Sequence, residues 1–147
     1  MQRVLVLSGP NLDRLGARAG VYGTTTLAEI HARLASVGLE LGVAVVARQS
    51  AHEGELVTWV NSAKDEGFEG LVINPGGYAH TSVALHDALL DSPLVKVEVH
   101  VTNTDAREPF RRRALTARAC TAKVAGFGAL SYELGLRGVV ALLDRAS

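Results

Sequence analysis

Short β-branched and leucine-rich runs, each closed by glycine, proline or polar residues, alternate in this chain with longer stretches whose apolar residues recur every three or four positions. Arg3 to Leu7 reads as a buried strand ended by Ser8, Gly9 and Pro10. After a loop, Thr26 and Glu29 form a capping box for a helix whose Leu27, Ile30, Leu34, Val37 and Leu41 share one face, and Gly42 ends it. Val43 to Ala47 is a second strand. Ser50 with Glu53 predicts another capping box, ahead of a helix bearing Leu56, Val57, Val60 and Ala63 as far as Gly67. Leu71 to Ile73 is the third strand, Ser82 to Leu90 a helix, Leu94 to Val99 the fourth strand, the neighbourhood of Val124 the fifth, and Ala129 to Leu143 the last helix. Strands and helices alternate along the chain, with an irregular stretch between the fourth and fifth strands.

Such alternation specifies an α/β fold, a parallel sheet with helices on both faces, because right-handed crossovers put them there. Five strands favour the flavodoxin-like, doubly wound order 2-1-3-4-5. The 147 residues fit one domain spanning 1–147, and a domain of that size buries roughly 70% of its unfolded surface. Formal charge sums to zero and the pI is near 7.0. That balance offers no electrostatic footprint for nucleic acid or an anionic membrane, so neither is expected as a partner. Cys120 stands alone and no His/Cys cluster has zinc spacing, which predicts neither an internal disulfide nor a metal. The first apolar run is too short for a signal segment or a membrane span, so a soluble cytoplasmic protein is expected.

In a sheet of this kind the residues just past the strand carboxyl ends converge on one rim. They are Asn11 to Tyr22, Gln49 to His52, Asn74 to His80, and His100 to Arg111. Together these segments carry histidines, asparagines, hydroxyl residues, a tyrosine and arginines beyond what turns need, a composition suited to a small-molecule site. The loop from Ser8 to Thr24 exceeds the usual 2 to 6 residues and has the length of a lid, with Gly16, Gly20 and Gly23 to bend it. Rival functions of doubly wound folds lack their residues. No GxxxxGK[ST] follows the first strand, Gly126-Phe127-Gly128 is too incomplete for a dinucleotide fingerprint, and a phospho-acceptor would need acidic groups where Ser8, Gly9 and Asn74 stand. His31, His86, Trp59 and Phe68 read as surface or packing residues, and Arg111-Arg112-Arg113 as a solvated run able to bind a carboxylate.

In these segments the chain resembles the type II dehydroquinate dehydratases. The resemblance is carried by Gly9-Pro10-Asn11-Leu12 with Leu15-Gly16 and Arg18, by Val21-Tyr22-Gly23, and by Arg48-Gln49-Ser50 with His52-Glu53-Gly54-Glu55-Leu56. It continues through Asn74-Pro75-Gly76-Gly77-Tyr78, His80-Thr81-Ser82-Val83-Ala84-Leu85, Glu98-Val99-His100 with Asn103, and Arg107-Glu108-Pro109-Phe110-Arg111, to the tail from Gly126 to Tyr132. It implies conversion of 3-dehydroquinate to 3-dehydroshikimate, in the shikimate pathway or in quinate breakdown, with no cofactor and no metal. It also implies a homododecamer built as a tetramer of trimers. Carried over residue by residue, Tyr22 is the proton-abstracting base with Arg18 beside it, and His80 is the acid. Asn11 stabilises the enolate and Glu98 supports the site. Asn74, His100, Val101, Thr102 and Arg111 hold the substrate, and Asp87 reaches a neighbouring subunit's site.

The chemistry fits those types. Removing a proton beside a ketone needs a base and a donor for the enolate oxyanion. A tyrosine, ordinarily near pKa 10, is about a thousandfold under-ionised at neutral pH, and a cation within about 4 to 6 Å lowers an acid by 1 to 3 units. A Schiff-base route would need a lysine in the pocket, and Lys64, Lys96 and Lys123 all fall outside the rim segments. The family pattern is departed from at Asp13, Ala19, Thr102 and Arg112-Arg113-Ala114, where Asn, an acidic residue, Ser and His-His-Ser are usual, and the stretch from Arg18 to Tyr22 is one residue shorter. These departures bear on lid closure and rate. A scaffold homologue without activity would be marked by loss of Tyr22, Arg18 or His80, and all three are present.

Overall fold

The computed structural model describes residues 1–17 and 20–146. Five parallel strands, β1 (Gln2–Ser8), β2 (Val43–Gln49), β3 (Gly70–Asn74), β4 (Val95–His100) and β5 (Ala122–Ala125), lie in the order β2-β1-β3-β4-β5. The doubly wound expectation therefore holds. Four α-helices cover the sheet: α1 (Leu27–Leu41), α2 (Glu53–Ser62), α3 (Val83–Asp91) and α4 (Leu130–Ala146).

The period of two in a strand decides which face each residue feeds. Val4 and Val6 of β1 enter a core with Ile30, Leu34 and Val37 of α1 and Leu136 and Val139 of α4. Leu5 and Leu7 enter the opposite core with Leu56 and Val60 of α2 and Leu85 and Leu89 of α3. Both faces of β1 are apolar because both are covered, as a central parallel strand requires. Thr26 caps α1 as expected: its hydroxyl accepts from the Glu29 amide while the Glu29 side chain reaches back. Gly42 closes the helix in the left-handed region (φ 76°), where a Cβ would be strained.

Two expectations change. The Ser50/Glu53 capping box is absent: α2 starts at Glu53, Ser50 Oγ accepts from the His52 amide in a local turn, and the Glu53 carboxylate accepts from Ser82 Oγ at 2.6 Å. Glu53 is thus drawn to the start of α3 rather than to its own helix. The connection after β4, read from the sequence as irregular, indeed contains no α-helix. Short 3-10 turns at Thr104–Ala106, Pro109–Arg112 and Ala117–Ala119 take its place, rich in arginine and poor in apolar periodicity. The strands also run past their apolar stretches, so that Ser8, Gln49, Asn74 and His100 are the last strand residues. Groups expected in loops therefore sit on hydrogen-bonded backbone.

Candidate active site

Strand register lines up the carboxyl ends. Ser8 pairs with Gln49 and with Asn74, Ile73 with Glu98, and His100 with Ala125. A cleft opens above this edge, lined by Pro10, Asn11, Leu12, Tyr22, Asn74, Gly76, Gly77, His80, His100, Val101, Thr102, Thr104, Arg107 and Arg111. The chain leaving β1 is pressed against the chain leaving β3. The Gly9 amide donates to the Asn74 carbonyl at 2.8 Å, and a Cβ on Gly9 would lie 2.3 Å from the Pro75 oxygen, so only glycine fits. Two residues on, Asn11 holds a left-handed backbone (φ 69°), the single described non-glycine residue to do so. That geometry is uncommon and asparagine is among the types that tolerate it best. Asn74 Oδ1 accepts from the Gly76 amide at 3.1 Å, which turns the chain into the 3-10 segment Gly76–His80 that carries His80.

Two imidazoles form the floor. His80 and His100 are nearly parallel (24°) with centroids 6.2 Å apart. The His100 Nε2 meets Glu98 Oε2 at 2.7 Å, and Glu98 Oε1 accepts from the Thr116 hydroxyl. A carboxylate can only accept, so Nε2 carries a proton and Nδ1 is the nitrogen left for the cleft. Glu98 is 1% exposed and Thr116 fully buried. His80 Nδ1 meets the Arg113 carbonyl at 2.9 Å, so Nδ1 is the protonated nitrogen of that ring. Burial pushes the His80 imidazole below its ordinary value; His100 and Arg111 push the same way, and the Arg113 carbonyl and Glu98 only partly oppose them.

The facing wall belongs to the lid. Tyr22 sits in a 3-10 turn, Gly20–Tyr22, and its phenol accepts from Arg107 Nη1 at 2.7 Å. The same guanidinium lies 5.1 Å from the ring centroid and approaches Thr102 Oγ1 at 3.4 Å. Glu108 spaces the two arginines of this wall: Arg111 Nε donates to it at 2.6 Å and Arg107 Nε lies 3.5 Å away. Its own backbone amide, and after that Arg111 and Arg107, hold Glu108 below the usual carboxylate range.

Eight sequence-predicted residues therefore meet in one cleft: Asn11, Tyr22, Asn74, His80, His100, Val101, Thr102 and Arg111. Glu98 stands behind His100 rather than in the cleft. Asp87 lies exposed on α3, bonded to His86 Nδ1, outside the cleft of its own chain. Arg18 lies outside the described residues. Arg107 and Thr104 line the cleft without having been singled out. Arg107 is one of several arginines in its stretch, and only the fold of the 3-10 turns shows which one faces Tyr22. Of the lysines, Lys96 caps the end of α3 through the Leu89 and Ser92 carbonyls, and Lys123 reaches Thr104 Oγ1 at 3.4 Å without lining the cleft. Burial, followed by Glu98, raises the Cys120 thiol to about 12, which leaves no thiolate at neutral pH. Among the described residues no three His, Cys, Asp or Glu side chains gather to hold a metal ion, and no helix is long and apolar enough to cross a membrane.

A flavodoxin-like sheet with a tyrosine, two histidines and arginines around a rim cleft defines a small-molecule enzyme of the acid–base type. Residues 2–140 match the dehydroquinase class II family model, and the chain belongs to that family. It is 54% identical over 134 residues to a Thermus thermophilus 3-dehydroquinate dehydratase, covering 90% of each chain. It is 46% identical over 142 residues to the Deinococcus radiodurans 3-dehydroquinate dehydratase, covering 96% of this chain and 99% of that one. Among solved structures, the type II dehydroquinase of Propionibacterium acnes superposes with a TM-score of 0.91 at 39% identity, covering 96% and 97%. That of Butyrivibrio crossotus gives 0.92 at 33%, covering 94% and 97%.

Proposed function

We propose that this chain, as a single catalytic domain, dehydrates 3-dehydroquinate to 3-dehydroshikimate through an enolate, the step that the family serves in the shikimate pathway. The observation that carries the reading is the contact of Arg107 Nη1 with Tyr22 Oη, opposite the two histidines across one cleft. A phenol oxygen that accepts a hydrogen bond from a guanidinium at the cleft is a group suited to take a proton from carbon.

In the first step Tyr22 takes the proton next to the ketone, and the electron pair of that bond moves into an enolate. Asn11, held on its unusual backbone at the cleft edge, faces the oxyanion. In the second step the enolate collapses, the carbon–oxygen bond of the departing hydroxyl breaks, and a histidine supplies the proton that makes it water. Exchange with solvent then returns a proton to that histidine and takes one from Tyr22. Arg111 faces the cleft beside this machinery and suits a substrate carboxylate.

Sequence resemblance gives the acid's role to His80 and substrate binding to His100. The surroundings of the two rings favour the exchange of these roles. His100 is hydrogen-bonded to the Glu98 carboxylate, whereas His80 is bonded to a neutral carbonyl and burial disfavours its charged form. His100 is the better proton donor and His80 the better neutral binder. The family resemblance supports a cytoplasmic dodecamer built as a tetramer of trimers, in which Asp87, exposed on α3, serves an adjacent subunit's site.

Purified protein mixed with 3-dehydroquinate should generate the ultraviolet absorbance of a conjugated product. Replacing His100 by Asn should lower kcat by about 10² to 10⁴ fold, and replacing His80 by Asn should act mainly on KM. No absorbance from the parent would end the reading; the opposite pattern in the two variants would return the acid's role to His80.

A further inference from the structure

Thr116 is fully buried, in the stretch between the turns Pro109–Arg112 and Ala117–Ala119. A buried β-branched residue needs no hydroxyl to pack, and valine would fill the same space. The hydroxyl present is spent on one acceptor, Glu98 Oε1, whose sister oxygen accepts from His100 Nε2. The Glu98 carboxylate is therefore held from two sides: by an imidazole facing the cleft and by a hydroxyl behind it.

The stretch that carries Thr116 is itself fastened beside the other histidine. The Leu115 and Thr116 amides donate to the Ala79 carbonyl at 3.0 and 3.4 Å, and the Arg113 carbonyl accepts from His80 Nδ1 at 2.9 Å. One short strap thus sets both rings, His80 through its backbone and His100 through Glu98.

We propose that Thr116 is a positioning residue for the proton donor: by fixing the rotation of the Glu98 carboxylate it holds His100 with Nε2 turned to Glu98 and Nδ1 available to the cleft. This rests on the functional reading above, in which His100 gives up the proton. Without the hydroxyl, Oε1 would be a buried oxygen with no donor, and the carboxylate would rotate to find one, releasing the imidazole. The arrangement extends the logic by which an orienting group sets the tautomer of a working histidine, with one more residue behind the carboxylate.

The test compares the parent with Thr116→Val, which keeps the shape and deletes the hydroxyl, and Thr116→Ser, which restores it. For Thr116→Val we expect kcat for 3-dehydroquinate to fall by about 10 to 100 fold with KM nearly constant. The His100 ring nitrogens should shift in their NMR spectrum, and Thr116→Ser should recover most of both losses. A merely structural role would lower stability but leave kcat per folded molecule and the His100 nitrogen shifts unchanged, and that result overturns the proposal. Should Thr116→Val fail to fold, the parent spectrum alone decides: His100 protonated at Nε2 with Thr116→Ser near the parent supports it, and a neutral Nδ1–H tautomer overturns it. A parent that does not turn over 3-dehydroquinate would defeat the functional reading, while the nitrogen shifts would still decide whether Thr116 positions His100.

Discussion

The two walls of the cleft are built by different means. On the side of β3 and β4, Asn74, His80, Glu98 and His100 are buried, sit on or beside strand ends, and are bonded to one another or to backbone before any ligand is bound. On the side of the β1 loop, the described residues 11–17 and 20–23 form turns with local bonds, such as Arg14 N–H to the Asn11 carbonyl at 3.1 Å and Gly23 N–H to the Gly20 carbonyl at 3.4 Å. That wall is moored to the core by Leu12 and Leu15, and across the cleft by the bond from Arg107 to Tyr22. One wall keeps proton donors in fixed tautomers, which demands rigidity; the other brings a base over a substrate that must first enter, which demands a segment of low local stability.

If the lid wall contributes the base, the largest effect should come from Tyr22→Phe. The ring and its packing remain while the oxygen that takes the proton is gone. We expect kcat to fall by about 10² to 10⁴ fold with ligand affinity within a few fold, read by steady-state kinetics beside calorimetric binding. A variant with parental kcat would break the comparison by moving the base to the rigid wall.

Next in size is Arg107→Ala. The guanidinium spans both walls, touching Tyr22 Oη and approaching Thr102 Oγ1. Its removal should cost about 10 to 100 fold in kcat/KM, the range of a lost hydrogen bond to a charged group. Arg107→Lys keeps charge without the planar fork and should fall between. An Arg107→Ala variant with parental kcat/KM would show that the bond to Tyr22 plays no part in turnover.

The difference between the walls also sets what sequence could show. Apolar period and caps defined the elements and the fold class the sheet order, while the strand-end positions named most of the floor, since Asn74 and His100 follow directly from where β3 and β4 stop. Three things lay beyond local pattern. Glu53 looks like half of a capping box, and only the arrival of Ser82 from a different crossover explains why it is not. Thr116 carries no periodic signal, and its value comes from Glu98, 18 residues earlier in the chain. Arg107 meets Tyr22 across 85 positions, and the family resemblance, which names Arg18 beside the tyrosine, does not single Arg107 out.

The smallest expected effect concerns stability and tests whether the rigid wall is rigid because it is dry. Burial holds His80, on that wall, and His31, on α1 away from the cleft, below the ordinary imidazole value of 6.5. In the unfolded chain both return to it. Between the folded and unfolded values the unfolded chain binds more protons, so stability rises with pH across that window. The contribution is fully present above 6.5 and is lost as pH falls through the folded value. Melting temperature should therefore drop by a few degrees between about pH 7.5 and 5, a range above the titration of most carboxylates. His80→Asn should remove one share of that slope and His31→Asn the other. If His80→Asn leaves the slope unchanged while His31→Asn flattens it, acid acts on the helical layer and the floor of the cleft takes up a proton without loosening, which would show that the bonds from Arg113 and Glu98, and not exclusion of water, hold that wall in place.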